Sequence, residues 1–429
     1  MQFPRSTRRK LLTGALAVPL LGRGVAAGAM PVASSVTSGA NDDPFWLSIA
    51  AQYDVTDEVI QVENGNWGMM PRPVLDAYHT HLGRVNRDTS FYTRRGFGRD
   101  AMAVREQFAA ALGVPPEEVA FTRNATEALK ALILGYNRLT PGDAVLYADL
   151  DYDSMQACMQ SLARRRGAQA VRIDLPEPAS HENLIAAYAQ AFEDNPRLRL
   201  LLLTRMSHRT GLVIPVREIA ALAKARGIDV IVDAAHSWFQ CDEEIASLDC
   251  DFVGVNGHKW LGAPLGVGAI HIRKAALDRI DPDPAETSDK SVFNRIHTGT
   301  SDMAAILTVP DALAFHARIG GAKRIARLRA LRDRWVEQIL PDERIEVLTP
   351  QDHRLHGAIT SMRLRGRTSS EDNRALAQLL LDRHGIFTVH RDGVAKGSCL
   401  RITPALFNTM DQMDRVASAL REAAGALAG

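Results

Sequence analysis

The sequence predicts an α/β protein: a mostly parallel sheet of seven strands with helices on both faces, followed by a smaller α+β domain. Three observations carry this. Runs rich in Val, Ile and Leu recur between residues 118 and 272, several apolar almost throughout, as in strands buried on both faces. Helical patterns separate most of these runs, the alternation expected of a sheet covered on both sides. After about residue 310 the pattern changes to long helices with short strands between them.

In chain order, the predicted strands of the sheet are "EVAFT" (118–122), "AVLYADL" (144–150), "AVRIDL" (170–175), "LRLLLLT" (198–204), "IDVIVDAA" (228–235), "DFVGVN" (251–256) and "VGAIHI" (267–272). The last follows its predecessor after a short loop and is expected to run antiparallel to it. "NATEALKALILGY" and "VREIAALAKARG" read as helices, and Gly227 is the expected C-cap of the second. Beyond residue 310, "RIARLRALRDRWVEQIL" and "NRALAQLLLDRHG" read as helices, with strands near "IEVLT", "AITSMRL" and "CLRIT". The domain reading is a large domain over 71–310, a small C-terminal domain over 311–429, and a segment 44–70 packed on the small one.

The N-terminus has a separate reading. Arg8 and Arg9 are adjacent, an apolar stretch from Leu11 to Leu21 follows, and Ala27-Gly28-Ala29 offers a small-residue cleavage site. The apolar stretch is too short for an ordinary membrane-spanning helix. Arginine pair, short apolar core and A-x-A ending in that order predict a twin-arginine signal peptide over 1–29 and a linker over 30–43. A periplasmic protein handed folded to the twin-arginine export machinery is expected, with no stable membrane anchor. That route suits a protein that takes up a cofactor before export.

The chain has 429 residues, 46% hydrophobic and 24% charged, with a net charge of +1. This is ordinary globular composition, enough for about two domains. Such a balance gives no field to draw nucleic acid. The four cysteines (Cys158, Cys241, Cys250, Cys399) form no CxxC pair and no zinc spacing, so mostly buried thiols and no metal site are expected.

The chemistry gathers where a parallel sheet places it, beyond the carboxyl ends of its strands. Asp233 ends one strand, Lys259 follows another, and Thr126 opens the helix after a third. A strand-end carboxylate is costly to bury without a cation. Two readings follow from the residues alone. Asp233 and Lys259 form a buried ion pair, or they serve pyridoxal 5'-phosphate, the lysine joined to its aldehyde and the aspartate facing its ring nitrogen, with the phosphate on the N–H groups of "RNATEA".

From about residue 60 to its end, the chain resembles the class V aminotransferase family of fold-type I pyridoxal-phosphate enzymes, within it the isopenicillin-N-epimerase-like branch. "ENGNWGMMPRPVLDAY", "TRNATEAL", "DLDYDSM", "VDAAHS", "GHKWLGAPLGVGAI" and "LRITPALFNT" carry the resemblance, in the family's order. It implies a pyridoxal-phosphate-dependent transferase in which Lys259 bonds the cofactor and is the catalytic base. Asp233 would meet the pyridine nitrogen, Ala125 and Thr126 the phosphate. Tyr152 would stack on the ring, where many relatives have histidine. His236 would lie near the phenolic oxygen or the phosphate, and His258 at the phosphate. Thr300, in "HTGTSD", would reach the phosphate of a neighbouring subunit, which implies a homodimer. Arg401 would bind a substrate carboxylate, with His208 and Asn64 the other substrate-side candidates.

Plainer readings stand beside these: His258 as a core histidine bonded to backbone, Tyr152 as packing, Arg401 paired with Asp411 or Asp414. The chain departs from the family at Asn256, where many relatives have Ser or Thr, and at His208 in "MSHRTG", where asparagine is usual. Arg205 and Arg209 flank His208 and are candidates for substrate anions.

The implied activity is chemistry at the α-carbon or amino group of an amino acid or peptidyl amino acid, transamination first. Epimerisation is the alternative, with Tyr152, His208 and His390 as candidate second bases. A non-catalytic binding protein on the same fold is a further alternative, disfavoured by the presence of both Lys259 and Asp233. Desulfuration is disfavoured because Cys399 lies in a strand and "VHRDGVAKG" has no cysteine. Among exported members, the resemblance extends to enzymes that tailor peptide siderophores of the pyoverdine type.

Overall fold

The computed structural model describes residues 43–241 and 244–427. The expected signal peptide lies outside them, as does the expected linker apart from Asp43. The carboxylate of Asp43 caps the helix Pro44–Ala50 by accepting the Phe45 N–H at 2.8 Å.

Strands form three sheets. In chain order they are β1 (Ile60–Gln61), β2 (Val119–Thr122), β3 (Ala144–Ala148), β4 (Gln169–Ile173), β5 (Leu198–Thr204), β6 (Asp229–Asp233), β7 (Phe252–Asn256), β8 (Gly268–Ile272), β9 (Ile345–Val347), β10 (Thr360–Leu364), β11 (Ile386–Phe387), β12 (Val389–Arg391) and β13 (Cys399–Ile402). The large sheet has seven strands in the order β2-β8-β7-β6-β5-β3-β4. β8 is antiparallel to both neighbours, and the other pairings are parallel. Its strands match the predicted runs to within two residues at either end.

Strand alternation explains the two cores on this sheet. Leu201 and Leu203 of β5, with Val230 and Val232 of β6, face one layer of helices. Leu200, Leu202 and Ile231 face the other. Both sets are buried, so the strands read as continuous apolar runs. The helix Val216–Lys224 ends in a Schellman-type turn: Gly227 takes φ 69°, and the Ile228 N–H reaches the Ala223 carbonyl at 3.0 Å.

A second sheet, β12-β13-β10-β9, is antiparallel throughout. It shares a third core, which holds Trp335, Met362, Leu400 and Leu420 together with Ile60 and Val62 from the N-terminal side. β1 pairs in parallel with β11, and the next residues continue as a strap in which Glu63 bridges Thr403. This strap closes one wall of the site. No described helix is long and apolar enough to cross a membrane.

Candidate active site

Because six strands of the large sheet share one direction, the segments after β2, β3, β5, β6 and β7 emerge at one edge. They line a cleft of about 660 Å³, whose remaining wall comes from the strap at Gly65 and Asn66 and from residues 390–393 and Arg401. That is the size of an ordinary cofactor or substrate site.

Asp233 ends β6 and is buried. Its Oδ1 accepts the Ala235 N–H at 2.9 Å. Its other oxygen has no protein partner among the described residues, although the residue lines the cleft. Burial raises its pKa, and Lys259 opposes that shift. The two do not form a direct ion pair. Lys259 Nζ instead lies 2.8 Å from Nε2 of His236. Burial draws the lysine down to about 8 against the pull of Asp233. His236 is held well below the usual histidine value, by burial first and then by Lys259, so it is a neutral acceptor for the amine.

The loop bearing Lys259 is fixed by close backbone approach. The Gly68 N–H donates to the His258 carbonyl at 2.8 Å, and a Cβ on Gly68 would lie 1.7 Å from the Lys259 carbonyl oxygen. At Gly268, a Cβ would meet the backbone of Asn124 at 2.6 Å, so glycine lets β8 run against the start of the helix Ala125–Gly135.

That helix start differs from expectation. Asn124 caps it by accepting the Glu127 N–H at 2.9 Å. The Ala125 N–H, expected to serve a phosphate, donates to Asn256 Oδ1 at 2.7 Å. Asn256 sits at the end of β7, where a longer side chain than Ser or Thr reaches the helix. The Thr126 N–H keeps no protein acceptor among the described residues, and Thr126 lines the cleft with Asn256. Helix N-termini with free N–H groups attract anions. His258 lines the cleft and is also bonded to backbone, as its plainer reading held, with Nδ1 3.0 Å from the Val267 carbonyl. Burial lowers it to about 4, so Nδ1 carries the proton and Nε2 would donate to a phosphate only when the ring is charged.

Tyr152 follows β3, lines the cleft and is 38% exposed. It meets His208 edge to face, centroids 5.3 Å apart at 88°. Burial and nearby Arg209 and Arg401 hold His208 well below its usual pKa.

Arg401 is paired with Glu63, and not with Asp411 or Asp414; Asp414 holds Arg334. Asn64 faces a separate cavity of about 20 Å³ with Trp260 and His316, while Asn66 takes the place in the cleft. Arg205 and Arg209 do not line the cleft: Arg205 donates to the Ile214 carbonyl at 2.6 Å, and Arg209 is buried against Asp153 and the Asp149 carbonyl. Thr300 is exposed and outside the cleft of its own chain. Sequence reasoning did not single out Glu63 or Arg391. Each adjoins a residue that it did, Asn64 and His390, but the contact between them spans the chain.

The pyridoxal phosphate implied by the resemblance fits these residues. Asp233 offers an unpaired oxygen at a strand end, Thr126 an unused N–H at a helix start, Tyr152 an aromatic face and Lys259 an amine near neutrality. No group of His, Cys, Asp and Glu suited to a metal occurs among the described residues. No cysteine lines the cleft. Cys399 is fully buried in β13, its thiol pushed up to about 11 by burial, and no disulfide forms among the described residues.

Residues 68–416 match the family Aminotransferase class-V. The chain is 30% identical over 397 residues to the isopenicillin N epimerase of Amycolatopsis lactamdurans, covering 88% of this chain and 98% of that one. A probable cysteine desulfurase of Vibrio cholerae is 25% identical over 408 residues, covering 88% and 98%. Among solved structures, the cysteine desulfurase CsdA of Escherichia coli superposes with a TM-score of 0.74 at 21% identity, covering 88% and 98%. A C-DES mutant with glycine covalently linked to its PLP cofactor gives 0.74 at 19%, covering 87% and 98%. These two share the fold.

Proposed function

The chain belongs to the aminotransferase class-V family and is a pyridoxal-phosphate-dependent enzyme of that family, and on that premise we propose that it breaks a bond at the α-carbon of an amino acid or peptidyl amino acid, by transamination. The observation that carries this reading is the meeting of Lys259, the unpaired Asp233 oxygen and the Thr126 N–H in one cleft.

The bound cofactor supplies an electrophilic aldehyde and an electron sink for a bond at the α-carbon. Lys259 Nζ would hold the cofactor through that aldehyde, and its amine would be the base that takes the substrate's α-proton. His236 holds Nζ in place by accepting its N–H. The free oxygen of Asp233 would balance a proton on the ring nitrogen, and Tyr152 would cover the ring face. Thr126, through its unused N–H, and Asn256 beside it would hold the phosphate. A substrate carboxylate lies toward Arg401.

The enzyme acts in the periplasm, exported folded and loaded by the twin-arginine machinery. The support is the order Arg8-Arg9, Leu11 to Leu21, Ala27-Gly28-Ala29. A peptide siderophore of the pyoverdine type suits that compartment as substrate. The working unit is a homodimer in which Thr300 serves the neighbouring site, supported by the resemblance of "HTGTSD". A stable holo monomer in sedimentation at micromolar concentration would count against the dimer.

Epimerisation is the second reading, favoured by the 30% identity to an isopenicillin N epimerase and by Tyr152, His208 and His390 lining the same cleft as Lys259. Desulfuration is disfavoured, since sulfur transfer needs an accessible thiolate at the site. Mass and chiral analysis of products formed in deuterium oxide from a panel of amino acids and peptides, with a 2-oxo acid present to accept the amino group, separates the readings. Transamination yields a 2-oxo product, and epimerisation returns the amine with α-deuterium and inverted configuration. No mass change and no α-deuterium with any member would sink both, and unaltered biological output from Lys259→Ala would favour a binding protein.

A further inference from the structure

One wall of the cleft carries two arginines on a single carboxylate. β12 and β13 are antiparallel, with Val389 opposite Arg401. Arg391 lies two residues along from Val389, so it projects from the same face as Arg401, diagonally across. The strap that bridges Thr403 places Glu63 against both. Glu63 Oε1 accepts from Nη2 of Arg401 and, at 3.2 Å, from Nη2 of Arg391, while Oε2 accepts the Thr403 hydroxyl at 3.1 Å. Glu63 is 6% exposed and Arg401 1%.

The two guanidiniums are not equivalent. Arg401 is boxed in. Its Nη2 is given to Glu63, its Nη1 donates to the His208 carbonyl at 2.5 Å, and it fills the space beside Gly65, where a Cβ would fall 2.4 Å from Nη2. Arg391 keeps 29% of its side chain exposed and lines the cleft. Beyond Glu63, the only other hydrogen bond of its guanidinium among the described residues is a long one of 3.5 Å from Nη1 to the His390 carbonyl. Charge makes the same distinction. Two guanidiniums against one carboxylate leave one positive charge, and the side chain with donors to spare is Arg391.

We propose that Arg391 is the anion-reading residue of the cleft, receiving a substrate carboxylate beside Arg401, and that Glu63 is the positioning residue that fixes both forks. This rests on the reading of the cleft as an amino-acid site. It makes the substrate one that brings a carboxylate to the β12 wall. Either the α-carboxylate of a free amino acid or the side-chain carboxylate of a residue whose α-carboxyl is an amide has that chemistry.

The test is a spectral titration of the cofactor-loaded protein with L-alanine, L-alaninamide and L-isoasparagine, which carry an α-carboxylate alone, no carboxylate, and a side-chain carboxylate beside an α-amide. Arg391→Gln should weaken binding of the preferred carboxylate probe by roughly tenfold or more, the loss of a charge-assisted contact, and change L-alaninamide less than about twofold on the same grounds. The probe that responds identifies which carboxylate is read. Glu63→Gln, which releases both forks and adds one positive charge to the wall, should shift the preference for carboxylate over amide by roughly tenfold while the cofactor absorbance persists, and Glu63→Asp should bring part of the wild-type preference back. Equal binding of all three probes to wild type and Arg391→Gln, or a Glu63→Gln variant that only melts earlier with its preference intact, would overturn the proposal. Failure of the underlying reading looks different: no cofactor absorbance in wild type at all.

Discussion

Lys259 is an amine that burial has drawn down to about 8, with Asp233 too far for direct pairing and His236 in hydrogen-bond contact. The sign of its pH dependence follows. The nucleophile is the neutral amine, whose fraction rises with pH and reaches one half near 8 here, against about 10.4 for an exposed lysine. Cofactor capture by the apoprotein, followed by absorbance, should therefore climb through pH 8 and level off well below the range where an exposed lysine titrates. A climb centred near the ordinary lysine value would remove burial from the account. Asp233→Asn keeps the shape but cannot balance a ring proton, so α-proton exchange into deuterium oxide should slow by roughly a hundredfold or more. An unchanged rate would leave Asp233 without its role. Both residues stood out in the sequence as charges at the ends of apolar runs, which left an ion pair and a cofactor site equally open; their roles came from the family resemblance. Asn256 bonding the Ala125 N–H was not legible, since it joins positions 131 apart. Nor was Glu63 holding Arg401, 338 apart. Such pairings depend on register between elements, which no local pattern encodes.

Strand and helix patterns along 118–272 were readable because burial on both faces leaves long apolar runs between glycines and caps. β1 and β11 escaped for the opposite reason: each has two residues, too few for any periodicity. Yet the strap that follows β1 supports the lysine loop. Gly68→Ala would drive a Cβ into the Lys259 carbonyl and displace the loop. A cost of about 1–3 kcal/mol in urea unfolding is expected, with faster loss of cofactor. Gly83→Ala is the matched control. It lies on the exposed face of the helix Arg72–Tyr92 with nothing within 4 Å of a new Cβ, and should stabilise by about 0.5–1 kcal/mol. If both variants unfold alike, close packing of strap on loop is not what holds Lys259 in place.

Across the whole molecule, the large sheet aims its strand ends at one cleft, and the second sheet with the strap completes it with Arg391 and Arg401. A cleft assembled from residues 65 to 401 exists only in the folded chain, so cofactor binding must follow folding. Replacing Arg8 and Arg9 together by lysine should leave the protein active but retained in the cytoplasm. Periplasmic activity equal to wild type would refute the twin-arginine reading. The central claim concerns one lysine out of all those in the chain. Borohydride reduction of the freshly purified protein, followed by proteolysis and peptide mapping, addresses it most directly. The account predicts one pyridoxyl adduct per chain, on the peptide containing Lys259, and none in a folded Lys259→Ala variant. An adduct on another lysine, or no adduct in the wild-type protein, would contradict it.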